Sequence, residues 1–240
     1  MSGHSKWSQI KRQKAVTDQK RGAVFTKLGK IITIAAKEGG GDLSANFKLR
    51  LAVDKAKAAN MPKDNIDRAI KRGIGELAGG ELHELIYEAF GPGGVALIIK
   101  TLTDNKNRTV AEIKHILGKH NGRLGEPGSS LWQFKEWGVI RLGKTGLDVD
   151  QVTLEAIELG AQDVIEEEDN ILIKTSKEDL QILKEALEKN DFLVDYAEID
   201  LLPDNYIDVA SKTAEQLQKL FEALDDSEDV NDYYHNAKLS

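Results

Sequence analysis

Apolar residues recur at helical spacing through the first third of the chain. Val24, Leu28, Ile31, Ile32 and Ala35 fall at i, i+4, i+7, i+8 and i+11, which predicts a helix from Thr17 or Asp18 to about Lys37. Gly39-Gly40-Gly41 should end it. Leu49, Val53 and Ala56 stripe a second helix, from about Asn46 to Ala59, with Ser44 or Asn46 as its cap. A third runs from Pro62, suited to a first helical turn, to Lys71. Its inward residues are Ile66, Ala69 and Ile70, and Gly73 is read as its stop. Three short amphipathic helices can share one small core.

Beyond residue 80 the period shortens. Leu85–Phe90 reads as a strand, Gly91–Gly94 as a turn and Val95–Leu102 as a buried strand. Thr103–Arg108 leads into a helix carrying Val110, Ile113, Ile116 and Leu117. Gly122–Gly128 is a Gly/Pro-rich loop, and Ser130–Phe134 reads as another strand. Over 138–202 the order is a strand at Gly138–Leu142, a helix at Val152–Leu159 and a hairpin of Asp163–Glu166 with Ile171–Lys174. A helix capped by Ser176 and a strand at Leu193–Leu201 follow. This βαββαβ order is the ferredoxin-like pattern. Tyr206–Val209, a helix over Ala214–Leu224 and Val230–Tyr234 would complete the domain begun near residue 80.

The expected fold class is therefore multidomain, α and α+β. Residues 1–78 would form a basic arm and three-helix domain, and 79–137 with 203–240 an α+β domain. An acidic ferredoxin-like domain over 138–202 would be inserted into the latter.

Charge sharpens this picture. The net charge of −7 conceals a strong asymmetry. Residues 1–75 carry 17 Lys and Arg against 6 Asp and Glu, whereas 146–240 carry 7 against 26. Such asymmetry points to a polyanion at the basic end. There is no cysteine, which removes disulfides, thiol nucleophiles and thiolate metal sites. The longest aliphatic run is Val95–Ile99, far short of the roughly 20 residues of a membrane span. The opening residues lack the apolar stretch of a secretory signal, so cytoplasm is the expected location.

Candidate contacts concentrate in the basic third. Lys6, Lys11, Arg12 and Lys14 surround Trp7 with no acid before Asp18, as in an arm that orders on a polyanion. The Trp7 indole suits either stacking on a base or anchoring the arm to the helices. Lys20, Arg21 and Lys27 follow on the first helix, and Lys63, Arg68, Lys71 and Arg72 mark the third. Gly91–Gly94 lacks the Lys-Ser/Thr of a P-loop and reads as a tight turn. Thr103, Asp104, Asn105, Asn107 and Arg108 cluster at a strand end, where capping is the simpler reading and anion binding the other. None of the five histidines has metal-ligand spacing, and no Gly-x-Ser-x-Gly elbow occurs, so no enzyme, cofactor or metal is expected. Asp225, Asp226, Glu228, Asp229 and Asp232 are expected to repel a phosphate backbone and keep the C-terminal half off it.

A set of short motifs stands in order along the chain. They are Gly3-His-Ser-Lys-Trp7, Lys20-Arg-Gly22, Phe25-Thr-Lys27, Gly39-Gly-Gly-Asp42, Asn60-Met-Pro-Lys63 and Ala69-Ile-Lys-Arg-Gly73. Tyr87 with Gly91-Pro-Gly-Gly94, and Thr103-Asp-Asn105 with Asn107-Arg-Thr109, complete them. Together they resemble the YebC/PmpR family, which includes the mitochondrial translational activator of cytochrome oxidase subunit one. Tyr87-Glu-Ala-Phe90 departs from the Tyr-Glu-Gly-Tyr common in members and supplies no phenol at position 90. The resemblance implies three domains, no catalysis, and a second surface around Gly91–Gly94 and Thr103–Arg108. It also implies one of two roles: DNA-binding transcription regulator, or ribosome-associated factor that aids translation of difficult stretches such as consecutive prolines. The absence of a clear helix-turn-helix and the Trp/Lys arm lean toward RNA, whereas the family's usual label is transcriptional regulator. The expected partner is nucleic acid, either DNA or ribosomal RNA, with no membrane. The competing class is a protein-interaction adaptor working through the acidic C-terminal half.

Overall fold

Helix α1 (Asp18–Gly39) is the longest described element of the computed structural model, which describes residues 18–167 and 169–239. Close helix packing is helped by small residues at the contacts, and the sequence supplies alanines there. Leu28, Ile32, Ala35 and Ala36 of α1 meet Leu49, Ala52, Val53 and Ala56 of α2 (Phe47–Ala58) and Ile66 and Ala69 of α3 (Lys63–Gly73). Asn46 caps α2 by accepting from the Leu49 N–H, so of the two cap candidates it is the one used. Pro62 stands one position earlier than expected, at the N-cap of α3.

Gly73 is the last residue of α3, two residues beyond the expected Lys71, and Ile74 follows as the C-cap. The role of Gly73 is close approach. A Cβ there would lie 2.4 Å from the Thr33 carbonyl oxygen and 2.6 Å from the Ala36 Cβ. Thr33 in turn donates to the Ala69 carbonyl at 3.1 Å, tying the two backbones together. Gly73→Ala should therefore destabilise the chain by about 1–3 kcal/mol in urea unfolding, the usual cost of overpacking. Gly79→Ala, whose Cβ would sit 3.7 Å from the Arg72 stem, should be nearly silent.

A four-stranded sheet follows, in the order β3-β1-β2-β9. Its strands are β1 (His83–Phe90), β2 (Ala96–Thr103), β3 (Arg123–Leu124) and β9 (Val230–His235). Helix α4 (Lys106–Lys119) buries Ile113 and Leu117, and α7 (Ser211–Asp226) buries Leu217, Leu220 and Leu224. The expected strand over Ser130–Phe134 is instead a single 3-10 turn at Leu131–Gln133. Its backbone has another partner: the N–H groups of Gly128, Ser130 and Leu131 donate to the Glu88 carboxylate at 2.5–2.7 Å. Burial would raise the Glu88 pKa, and these hydrogen bonds hold it below the usual carboxylate value instead.

The second four-stranded sheet has the order β5-β6-β4-β7 with every neighbouring pair antiparallel. It comprises β4 (Phe134–Gly143), β5 (Asp163–Glu166), β6 (Asn170–Thr175) and β7 (Val194–Pro203). Helices α5 (Val149–Glu158) and α6 (Leu180–Lys189) cover Ile140, Leu142, Ile171 and Ile173 on one face. This is the expected ferredoxin-like βαββαβ arrangement, with β4 starting four residues before the predicted Gly138. The fold is thus α plus α+β, and the chain returns to the first sheet as β9 after completing the second. A two-stranded parallel ribbon pairs β8 (Ile207–Asp208) with β10 (Ala237–Lys238). The described residues form two compact units: 18–131 with Ala210–Tyr233, and Trp132–Val209 with 234–239.

Candidate nucleic-acid interface

Helix α3 segregates its side chains sharply. Ile66 and Ala69 are buried, while Lys63, Arg68, Lys71 and Arg72 are exposed. No ion pair engages these four side chains among the described residues. Arg68, Lys71 and Arg72 cluster in the last two turns, whereas Lys63 stands at the opposite end, about 7 Å from Arg68 and about 13 Å from Arg72 along the axis at 1.5 Å per residue. Asp64 and Asp67 share the N-terminal half of the exposed face. Cations near a helix C-terminus also complement its dipole, but that is worth only about 0.3–1 kcal/mol each.

Two lysines of α1 meet a different fate. The Lys27 ammonium donates to the Asp225 carbonyl at 2.5 Å. Burial lowers its pKa from the ordinary lysine value, against the raising pull of the Asp225, Asp232 and Asp226 carboxylates. Lys27 therefore departs from its expected place among the nucleic-acid contacts: it is spent inside the unit. Lys30 donates to Asp229 at 2.8 Å and to the Glu228 carbonyl at 3.0 Å.

Asp229 is the centre of this arrangement. Its carboxylate is 3 % exposed and accepts from Lys30, from the Arg108 guanidinium at 2.9 Å, and from the hydroxyls of Thr109 at 2.8 Å and Thr103 at 3.2 Å. Its own carbonyl accepts from the Leu102 N–H, so the backbone is pinned to β2. Burial alone would push the carboxyl up; hydrogen bonds from Lys30, Arg108 and Thr109 outweigh it and hold the pKa at about 2. The Thr103–Arg108 cluster is thus a cap and an ion-pair scaffold. Asn105 caps α4 through the Arg108 N–H, and Arg108 also pairs with Asp104 at 3.0 Å.

The acidic end consequently differs from expectation. Of the five acids expected to repel phosphate, Asp229 and Asp232 are buried and Asp225 is half-buried beside Lys27. Only Asp226 and Glu228 are exposed. Nothing in the local sequence separates these roles, since the partners lie about 120 or more positions away along the chain. Gly91–Gly94 is a tight turn packed on α7: Gly93 has φ +73°, and Cβ atoms at Gly91 and Gly93 would meet Leu217 and Thr213 at 3.1 and 2.8 Å. Lys6, Trp7, Lys11, Arg12 and Lys14 lie outside the described residues. Lys20 and Arg21 stand in the opening turns of α1, and their side chains also lie outside what is described. Among the described residues no group of three or more His, Asp or Glu is placed to hold a metal ion, and no helix is long and apolar enough to cross a membrane.

Fold and surface define a protein with a helical part, two α+β parts and a solvent-facing cationic helix. The chain belongs to the TACO1/YebC family. The family's N-terminal domain matches residues 5–76, and its second and third domain match residues 82–237. A "probable transcriptional regulatory protein" of Desulfosudis oleivorans is 50% identical over 240 residues, covering 100% of this chain and 98% of the relative. One of the same name from Chlorobaculum tepidum is 48% identical over 241 residues, covering 100% and 96%. The crystal structure of a conserved hypothetical protein of Aquifex aeolicus superposes with a TM-score of 0.86 at 38% identity, covering 94% of this chain and 93% of that one. The names borne by the family's members are those of regulators rather than enzymes.

Proposed function

We propose that this protein is a non-enzymatic regulator of gene expression that grips the phosphodiester backbone of nucleic acid through its helical part, with DNA as the target its relatives' names imply. The observation that carries this reading is α3: four exposed cations without an ion pair among the described residues, in a chain where Lys27 is hydrogen-bonded to the Asp225 carbonyl and Lys30 is paired with Asp229. The arm residues Lys6, Trp7, Lys11, Arg12 and Lys14, with Lys20 and Arg21, would extend the grip, and Lys27 would not. In this reading the helical domain is 1–78. The α+β domains, 79–137 with 203–240 and 138–202, present the rest of the machine to protein partners.

Backbone binding has a measurable signature. Each phosphate neutralised releases counterions, giving a slope of log affinity on log salt of about −0.9 per contact on duplex DNA. Fluorescence anisotropy of the purified chain on a labelled duplex, from about 50 to about 200 mM salt, should give a slope of about −3 or steeper. A flat response on both a duplex and an RNA hairpin would overturn the proposal. Tighter binding to the hairpin, with salt-sensitive co-sedimentation on ribosomal particles, would move the target from DNA to ribosomal RNA.

A further inference from the structure

Helix α5 exposes apolar side chains that its core does not use. Val152 and Ala156 are fully buried and fix the inward side of the helix. At about 100° per residue Leu154 stands on the opposite pole, and Ile157 lies about 60° from it. Both are open to solvent, Leu154 at 68 % and Ile157 at 53 %. Asp150 and Glu158 are exposed and fall about 40° to either side of Leu154. Glu155 is half-buried on the flank beyond Glu158. The outward face is therefore an apolar pair, three positions apart, set among carboxylates. The helix contains no Lys or Arg.

Single exposed apolar residues are ordinary on a protein surface. Here two are neighbours on one ridge, and the acids around them do nothing for the helix. Its last turn holds Glu155 and Glu158 and no basic residue, whereas the helix dipole favours cations at that end. The Glu155 carboxylate accepts from the Gln151 amide at 2.7 Å. No ion pair engages Asp150, Glu155 or Glu158 among the described residues. The neighbouring helix α6, on the same face of the sheet, differs: Glu188 pairs with Lys184 at 3.1 Å, and Lys189 occupies the last turn as the dipole prefers. Of the two helices, α5 is the one left without counter-charges of its own.

From this we infer that the outward face of α5 docks a lysine- and arginine-rich amphipathic segment of a second protein. The inference rests on the reading that the α+β domains face protein partners, and deepens it by naming the surface and the partner's chemistry. Leu154 and Ile157 supply the dry centre of the contact and the carboxylates its polar rim. Charge selects the class of partner. Three carboxylates without a cation repel acidic segments and nucleic acid alike, and attract a basic one. Proteins that occupy the same polyanion as this chain carry basic surfaces themselves, so the face suits a neighbour on a shared nucleic acid. At 1.5 Å per residue α5 is about 15 Å long, a match for two to three turns of a partner helix.

A fluorescein-labelled synthetic helix with a leucine stripe and lysines elsewhere is the probe. Its anisotropy on titration with the full chain should show saturable binding that weakens as salt rises. Leu154→Ser/Ile157→Ser should weaken binding by about tenfold or more, as for two anchors at the centre of a contact. Glu155→Gln/Glu158→Gln keeps the apolar pair, and should weaken binding severalfold with a flatter salt dependence. Leu77→Ser, at an exposed apolar residue outside α5, should change nothing. Thermal melts of all three variants should match the unaltered chain, and the bound peptide should slow amide hydrogen exchange in α5. Unchanged binding in Leu154→Ser/Ile157→Ser would overturn the docking surface, leaving only general acidity. Equal binding of a peptide with glutamates in place of the lysines would overturn the basic partner. Tighter binding of a peptide of residues 1–17 would make the chain's own arm the occupant, and a dimer that the serine pair dissociates would make it a second copy. Either result overturns a second protein. Titration of a labelled duplex with the same samples separates this surface from the α3 reading. The serine pair should bind the duplex as the unaltered chain does. If the unaltered chain holds the peptide but no nucleic acid, the α3 reading falls and this surface stands; if it holds nucleic acid but not the peptide, this surface falls alone.

Discussion

Asp229→Ala should destabilise the unit that contains it by about 2–3 kcal/mol, the upper range for losing hydrogen bonds from charged donors to one buried carboxylate. The carboxylate is 3 % exposed and serves four donors from three elements: Lys30 on α1, Thr103 on β2, and Arg108 and Thr109 on α4. Its loss leaves the largely buried Lys30 ammonium with the Glu228 carbonyl alone and the half-exposed Arg108 guanidinium with Asp104. Equilibrium urea unfolding measures the effect. Thr109→Val, which deletes one hydrogen bond at 2.8 Å, should cost about 1 kcal/mol and keeps the scale readable if the alanine variant does not fold. Acid supplies an independent check. The native carboxyl is held at about 2, below the ordinary 3.8, so its contribution is complete above pH 4 and is lost as pH falls toward 2. The variant's stability should then fall less steeply over that window. A loss under about 1 kcal/mol, with an unchanged acid limb, would show that the four donors do not depend on Asp229.

That hub also shows how far the chain can be read without coordinates. The three helices are legible to within a residue or two because each carries its own period-3.6 stripe: Leu28, Ile32 and Ala35 in α1, Leu49, Val53 and Ala56 in α2. The βαββαβ segment is legible for the same reason, since each strand and helix states its own burial pattern locally. Misreadings fall where a distant group overrides local preference. Leu131–Gln133 has strand-like residues, yet its backbone turns to meet Glu88, some forty positions earlier. Gly73 does end its helix, yet what demands a glycine there is distant: Thr33 and Ala36 leave no room for a side chain. Asp229 and Asp226 look alike in sequence, and only the arrival of Lys30 and Arg108 makes one a buried anchor.

The candidate interface follows the same division. The cations of α3 are visible in the sequence as charge alone. Which lysines remain available is not, because Lys27 lies on a basic helix and is withdrawn only by the Asp225 carbonyl, contributed from the far end of the chain. Lys114 and Lys119 escape notice in the sequence for the opposite reason. Their helix also carries Glu112 and His115, so its composition is ordinary, and only their exposure sets those lysines apart.

Charge reversal on α3 should have the largest effect on binding. With about −0.9 in salt slope per phosphate, each contact is worth close to tenfold between about 1 M and about 0.1 M salt. Three contacts are thus worth about 10²–10³-fold at about 0.1 M salt. Arg68→Glu/Lys71→Glu/Arg72→Glu should weaken nucleic-acid binding by at least that factor, because repulsion is added to loss. It should also flatten the slope by about three. Reversal places acids in the last turn, against the helix dipole, at a cost of about 0.3–1 kcal/mol each. A thermal melt therefore accompanies the titration, and the glutamine triple, free of that penalty, should still lose most of the affinity. Lys212→Glu/Lys219→Glu/Lys238→Glu changes net charge equally on exposed cations of α7 and β10. If binding is local to α3, this control loses little, with its slope intact. Equal losses in the two reversals would mean that the protein responds to net charge alone, and α3 would cease to be a site.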